Sequence, residues 1–122
     1  MGAVLKGRPS YYANSAVYAC PTTKASFGIT LLEAMARETP IVCSDILGFR
    51  DVVADDREAL MVPCGDRDAI ADALCRVLDD SLLARRLGAT GRANALDYSW
   101  PSVTSQVLDV YQGILGGIRV VA

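Results

Sequence analysis

Residues 16–63 decide the fold, and they read AVYACPTTKASFGITLLEAMARETPIVCSDILGFRDVVADDREALMVP. Short apolar runs at 16–20, 40–44 and 59–63 are typical of strands buried on both faces. Between the first two runs, a stretch rich in Leu, Ala, Met and Glu predicts a helix over about 27–37, which Pro40 prevents from continuing. With a short helical turn at 48–53, this order predicts a parallel sheet with right-handed crossovers.

The rest of the chain is predicted to be helical. Asp66 and Asp80 are expected to cap two helices, and a third is expected from Pro101 to about residue 115, with Trp100 as its core anchor. The side chains expected to face inward on the first two helices are Ile70, Ala73, Leu74, Val77, Leu78, Leu82, Leu83 and Leu87. The prediction is an α/β fold: a partial Rossmann-like, three-layer domain with about three parallel strands flanked by helices and followed by C-terminal helices.

Composition predicts one soluble globular domain over residues 1–122. Apolar residues make up 52% of the chain against 21% charged, so an intrinsically disordered tail is excluded. A net charge of −2, with no basic stripe, argues against nucleic acid as a partner. Histidine is absent, which removes imidazole acid–base chemistry and His-ligated metal sites. Four cysteines without a CxxC pattern predict free thiols and a cytoplasmic location.

One loop has the position of a ligand site, because ligands of parallel α/β sheets bind where the strands end. Ser26 is expected to cap the next helix, with Phe27, Gly28 and Ile29 as its first residues, so that their amides could receive a diphosphate. Glu33 would follow one and a half turns later, near enough to receive sugar hydroxyls.

Each of these residues also has a purely structural explanation. Gly28 would relieve packing between helix and strand, and Glu33 would pair with Arg37 one turn later. Three other polar residues near strand ends are explained as solvated or turn residues: Lys24, Asp45 and Asp51.

The sequence motifs of this region favour a ligand site over the structural explanation. PTTKASFGITLLEAMA at 21–36, TPIV at 39–42, GFRDVV at 48–53, VPCGD at 62–66 and SW at 99–100 resemble the C-terminal, donor-binding part of the family 4 retaining glycosyltransferases of GT-B fold. The resemblance covers about residues 11–115. It implies transfer of a hexose, of mannosyl or glucosyl type, from a UDP- or GDP-sugar with retention, with neither a metal nor another cofactor.

The resemblance assigns roles to named positions. The family has two glutamates eight positions apart, and the second, which holds the nucleotide ribose, corresponds to Glu33. The amides around Phe27, Gly28 and Ile29, beside Ser26, would meet the donor's sugar and diphosphate, with Thr30 nearby.

Three positions depart from the family pattern. The first glutamate falls on Ala25, whose methyl group can neither accept a hydrogen bond from the sugar nor stabilise positive charge. Glu38 stands where the family commonly has a helix-ending glycine, and Glu58 or Ala59 stands where the family usually has a glycine before the third strand; if the backbone keeps a positive φ at either place, each costs on the order of 1 kcal/mol. The isolated chain is therefore expected to be inactive.

The resemblance also implies missing parts. The N-terminal, acceptor-binding domain is expected to be absent, and the resemblance allows a membrane-peripheral parent enzyme. The sheet edge or the last helix is expected to pair with that domain or with a second copy. The alternative is a degenerate, non-catalytic binding or assembly module. A GT-B nucleotide-sugar epimerase is a weaker third reading, because such enzymes use ionisable groups that a histidine-free chain lacks.

Overall fold

A computed structural model describes residues 7–25 and 27–115. The elements follow the chain as α1 Arg8–Ala13, β1 Tyr18–Cys20, α2 Ile29–Met35, β2 Ile41–Ser44, α3 Leu47–Arg50, β3 Ala59–Val62, α4 Arg67–Asp79, α5 Ser81–Leu96 and α6 Trp100–Leu115. The strands form one parallel sheet in the order β1-β2-β3, with Tyr18 opposite Ile41 and Ile41 opposite Ala59. The predicted α/β fold with a three-stranded parallel sheet is confirmed.

The core lies on both faces of the central strand, β2, whose four residues are all buried. Ile41 and Cys43 pack against α2 and α3 on one face, and Val42 packs against α4 and α5 on the other. Side chains alternate across a strand, so a strand whose successive residues are all buried needs cover on both sides. These helices supply that cover and make the three predicted layers.

Both predicted aspartate caps are present. The side chain of Asp66 accepts a hydrogen bond of 3.0 Å from the amide of Ala69, at the start of α4. Asp80 Oδ1 accepts from the amides of Leu82 and Leu83 at the start of α5, at 3.1 and 3.0 Å. Each cap satisfies amides that have no partner within the helix.

The first strand and the first long helix are shorter than predicted. β1 has three residues and lies at the edge of the sheet, and Ala19 is exposed, so burial on both faces is wrong for this strand. Helix α2 begins at Ile29 with Gly28 as its N-cap residue, which leaves Phe27 and Gly28 outside the helix that was predicted to contain them. The predicted cap Ser26 lies outside the described residues.

The prediction of a buried anchor at Trp100 is also wrong. Its side chain is 83% exposed, and none of the sixteen residues of α6 is buried. Leu82 and Leu78, expected to face inward, are exposed as well, whereas Leu83 and Leu87 are buried as predicted. Helical spacing defines an apolar stripe, but it does not define what covers that stripe.

Within residues 7–25 and 27–115, two non-glycine residues have a positive φ. Glu38, with a φ of 58°, ends the turn after α2 as expected. The second is Asp56, with a φ of 60°, instead of Glu58 or Ala59. Glu58 is buried, and its Oε2 accepts a hydrogen bond of 2.8 Å from the amide of Ala54, which closes the loop before β3.

Candidate functional site

The carboxyl end of the sheet is where the predicted site begins. The loops that follow β1 and β3 approach each other there, since Cys64 Sγ lies 4.0 Å from the carbonyl oxygen of Thr22. Asp45, directly after β2, accepts a hydrogen bond of 2.6 Å from Arg50 Nε. The hydrogen bond lowers the pKa of the Asp45 carboxyl and raises the pKa of the Arg50 guanidinium. Asp45 thus has the turn role that its sequence position indicates.

The loop before α2 is packed more tightly than a ligand cradle requires. Ala25 is half-buried against the core cluster that contains Leu31 and Phe49. A Cβ added to Gly28 would lie 2.9 Å from Leu31 Cδ1 and 3.2 Å from Phe49 Cδ1. The structural explanation of this glycine, close packing, is therefore supported by its surroundings.

Glu33 lines a cavity of about 390 Å³ between α2 and the end of α5. Its lining is mostly apolar and includes Ile29 and Leu32, and the charged and polar residues that line it are Glu33, Arg92, Tyr98 and Ser99. Cavities of about this size hold small organic ligands. A carboxylate accepts hydrogen bonds from hydroxyls, while a guanidinium binds an anion, so the cavity combines both kinds of recognition.

Tyr98, on the aromatic side of this cavity, is held in place by contacts with residues that do not line the cavity. The hydroxyl of Tyr98 donates a hydrogen bond of 3.1 Å to the carbonyl oxygen of Asp51. The ring of Tyr98 lies 6.1 Å from the exposed ring of Phe27, centroid to centroid, at an interplanar angle of 54°. Phe27 therefore adjoins the cavity through its contact with Tyr98.

The cation of the cavity is only weakly engaged by its neighbours. Arg92 Nη1 donates a hydrogen bond of 3.4 Å to the carbonyl oxygen of Ala36, and Arg92 Nε lies 3.8 Å from a carboxylate oxygen of Glu38. The side chain is more than half exposed. An exposed pair of this length contributes little to stability, so an anion in the cavity could compete for the guanidinium.

Thr30 does not line the cavity. Its side chain hydrogen-bonds Tyr18 on β1, whose ring packs edge-on against Tyr12 at 5.3 Å. Burial raises the pKa of the Tyr18 hydroxyl to about 12. Thr30 thus connects α2 to the edge strand.

Of the predicted residues, the structure brings Ile29 and Glu33 together in one cavity and places Phe27 at its side. Gly28 and Thr30 are used in packing and in the contact with β1. Sequence reasoning missed Arg92 and Tyr98, because their positions on and after α5 meet Glu33 only through the packing of α5 on α2.

Among residues 7–25 and 27–115, no three His, Cys, Asp or Glu side chains are grouped as a metal ion would require. Nor does that part of the chain contain a helix long and apolar enough to span a membrane.

A parallel sheet layered between helices, with a candidate ligand cavity beside a helix that follows a strand, is the architecture of a Rossmann-like domain. The family model "Glycosyl transferases group 1" matches residues 6–94. The chain belongs to this family.

Relatives and solved structures agree with this membership. The chain is 39% identical over 109 residues to a phosphatidyl-myo-inositol mannosyltransferase of Mycobacterium leprae, covering 88% of this chain and 29% of the relative. A sucrose-phosphate synthase from Thermosynechococcus elongatus superposes with a TM-score of 0.78 at 31% identity, over 88% of this chain and 27% of that one. Anabaena HepE, solved in complex with UDP, shares the fold at 19% identity and a TM-score of 0.77, over 87% of this chain and 30% of its own. The chain spans less than a third of the length of these proteins.

Proposed function

We propose that this chain is the donor-binding part of a family 4 retaining glycosyltransferase and corresponds to the distal part of a GT-B C-terminal domain. The parent reaction transfers a hexose, of mannosyl or glucosyl type, from a UDP- or GDP-sugar. The observation that carries the proposal is Glu33 in a cavity it shares with a guanidinium and an aromatic ring.

In this proposal each group of the cavity has a role that its chemistry supports. The Glu33 carboxylate accepts hydrogen bonds from the two neighbouring hydroxyls of the ribose. Arg92, whose partners are weak, faces the negative charge of the nucleotide. The amides near Phe27 and Ile29 meet the diphosphate, and we expect neither a metal nor another cofactor.

Catalysis needs more than this chain provides. Ala25 occupies the position of the family's first glutamate and is packed against the core, so no carboxylate from this residue can stabilise charge at the reacting sugar carbon. The acceptor side lies in the larger part of the parent protein, of which the chain covers about a third or less. We therefore expect the isolated chain to bind donor and to lack transferase activity.

The setting of the parent enzyme is part of the same proposal. The described cysteines are all free, which supports a reducing, cytoplasmic location. A mycobacterial relative is named for a phosphatidyl-myo-inositol acceptor. That acceptor supports a parent enzyme that works at a membrane surface.

A second candidate function is a non-catalytic binding or assembly module. Two observations favour it: the packed methyl group at Ala25 and helix α6, in which no residue is buried. Donor binding distinguishes the two functions, because an assembly module has no reason to retain affinity for a nucleotide.

The experiment is calorimetric titration of the chain with UDP, GDP and their hexose conjugates. We expect the wild-type chain to bind at least one of them and Glu33→Gln, which keeps the shape and removes the charge, to bind at least about tenfold more weakly. Asp72→Asn, an equal charge change at an exposed site on α4, is the matched control and should bind as wild type. No binding up to millimolar ligand would favour the assembly module, and equal loss in both variants would show that Glu33 does not contact the nucleotide.

A further inference from the structure

The Glu33 cavity has an apolar wall that neither the ribose nor the diphosphate of a donor explains. Five of the nine residues that line the cavity are apolar: Ile29, Leu32, Ala36, Ala95 and Leu96. Hydroxyls and phosphate oxygens gain nothing from such a wall, because a polar group that leaves water for an apolar surface loses its hydrogen bonds. The nucleobase is the flat and least polar part of a nucleotide, so the wall fits the base.

Two aromatic rings adjoin this wall. Tyr98 lines the cavity, and the ring of Phe27 lies 6.1 Å from the ring of Tyr98 at an interplanar angle of 54°. Rings tilted in this way do not cover each other's faces as stacked rings would. Phe27 is 45% exposed and lies in the loop after β1, at the edge of the sheet where ligands bind. A base that stacks on these rings would remove their exposed surface from water.

The cavity has a separate group for each part of a nucleotide. Ribose carries the base at C1′ and the phosphate on the C5′ oxygen, and its two hydroxyls lie between them. Glu33 offers a carboxylate to the hydroxyls, and Arg92 offers a guanidinium to the phosphate. The apolar wall and the rings of Phe27 and Tyr98 then remain for the base.

The hydroxyl side chains beside this wall are already engaged within the chain. The Tyr98 hydroxyl donates a hydrogen bond of 3.1 Å to the carbonyl oxygen of Asp51. Ser99 Oγ donates to Ser102 Oγ at 3.1 Å and accepts from the amide of Ser102 at 3.5 Å. Bases differ in the hydrogen-bonding groups on their edges, whereas every base has a flat π face. The wall therefore recognises the face that all bases share.

We propose that the Glu33 cavity binds the donor nucleobase by its face, against the rings of Phe27 and Tyr98, and accepts uracil and guanine nucleotides alike. The inference rests on the proposed function, because it concerns the same donor site. Affinity then depends on whether a base is present and only weakly on which base it is.

Calorimetric titration of the 122-residue chain with UMP, GMP and ribose 5-phosphate tests the proposal. The three probes share the 2′ and 3′ hydroxyls and the phosphate, and ribose 5-phosphate lacks the base. We expect the affinities for UMP and GMP to lie within about tenfold of each other. Each nucleotide should bind at least about tenfold more tightly than ribose 5-phosphate.

Two variants each remove one ring and keep an apolar side chain: Phe27→Leu and Tyr98→Leu. Each should weaken the binding of UMP and GMP at least about fivefold and leave the binding of ribose 5-phosphate unchanged. Phe27→Tyr keeps the ring, and Tyr111→Leu removes an exposed ring of α6 that does not line the cavity, so both controls should bind as the wild type does. Far-UV circular dichroism checks the fold of each variant, and Phe27→Leu decides the matter if loss of the Tyr98 hydroxyl disturbs the fold.

An unchanged ratio of nucleotide to ribose 5-phosphate affinity in the ring-deleted variants would overturn the proposal. So would a preference of more than about tenfold for one nucleotide, since a polar group such as Arg92 would then contact the edge of the base. Either result would leave the proposed function standing if Glu33→Gln still weakens the binding of UDP or GDP. A wild-type chain that binds no nucleotide up to millimolar concentration would overturn both.

Discussion

Gly88 on α5 lies against the backbone of Glu38: a Cβ added to Gly88 would be 2.3 Å from the Glu38 carbonyl oxygen. Glu38 follows α2 with a φ of 58°, so α5 lies directly against a residue whose backbone is strained. One turn further along α5, a Cβ on Gly91 would be 3.0 Å from Met35 Cγ. The wall of the Glu33 cavity depends on this close approach, because it brings Arg92 beside α2.

Gly88→Ala should destabilise the domain. The added methyl group meets a backbone oxygen that has no rotamer with which to move away, so α5 must shift, and overpacking of this kind costs about 1–3 kcal/mol. The midpoint of urea unfolding measures the loss. Gly113→Ala on α6, where nothing lies within 4 Å of the added atom, is the control and should cause no loss. Equal midpoints for the two variants would mean that α5 does not press on Glu38.

Glu38→Gly should stabilise the domain by about 1 kcal/mol, because glycine adopts a positive φ without the clash of a Cβ atom. The exposed contact with Arg92 at 3.8 Å is too long to offset that gain. Asp56→Gly is the informative comparison, since Asp56 Oδ1 also accepts a hydrogen bond of 2.9 Å from Arg86 that glycine would remove. Thermal unfolding should show a larger gain for Glu38→Gly, and a loss in that variant would contradict the prediction.

Stability should fall at alkaline pH through Cys43. Burial raises the pKa of this thiol from 9.0 to about 12, so the folded state holds the proton more tightly than the unfolded chain does. Its contribution is complete below pH 9 and is lost as the pH rises toward 12, with a slope of at most about 1.4 kcal/mol per pH unit. The contribution of Tyr18, whose pKa is raised from 10.0 to about 12, is complete below pH 10 and is lost as the pH rises from there toward 12.

The measurement is the unfolding free energy between pH 8 and 10, a window in which Cys43 acts before Tyr18 does. Cys43→Ala should flatten the dependence. Cys64→Ala, which removes an exposed thiol, should leave the slope of the wild type unchanged. A slope that persists in Cys43→Ala would assign the effect to another group.

Ala25→Glu should lower stability and strengthen recognition of the donor sugar. The residue is half-buried against the core, so a carboxylate must turn out of the packing or be desolvated, at a cost of about 1–3 kcal/mol. If the new carboxylate reaches the hexose, the affinity for a nucleotide sugar should rise relative to that for the bare nucleotide. Ala25→Gln is the control, because glutamine has nearly the size of glutamate but no charge. A constant ratio of the two affinities in both variants would show that this position does not meet the sugar.

Local chemistry made much of the fold predictable. Asp66 and Asp80 act as caps because a short carboxylate before a helix binds its free amides whatever surrounds it. The central strand was predictable because three successive apolar residues, Ile41 to Cys43, leave neither face of the strand polar. The contacts between distant segments were not predictable. Nothing in the sequence around Arg92 or Tyr98 indicates that the packing of α5 on α2 places these residues beside Glu33.

The wrong predictions share one cause: a pattern of apolar residues does not show which other part of the protein packs against them. Val17 and Tyr18 are as apolar as the residues of β2, yet β1 lies at an edge where its middle residue is exposed. Trp100 has the large apolar side chain of an anchor, yet it begins a helix none of whose residues is buried. The sequence alone could not distinguish a buried apolar element from an exposed one, because burial depends on whether another element packs against it.

The contacts of α5 with the loop between α3 and β3 have a consequence for local opening. Arg86 binds both the carbonyl and the carboxylate of Asp56, and Asn94 Nδ2 donates a hydrogen bond of 2.7 Å to the carbonyl oxygen of Val52. A loop held at two points by one helix cannot fluctuate separately from it, so loop and helix form one cooperative unit in native-state hydrogen exchange. The protected amides of residues 52–56 should then exchange with the same free energy as those in the middle of α5.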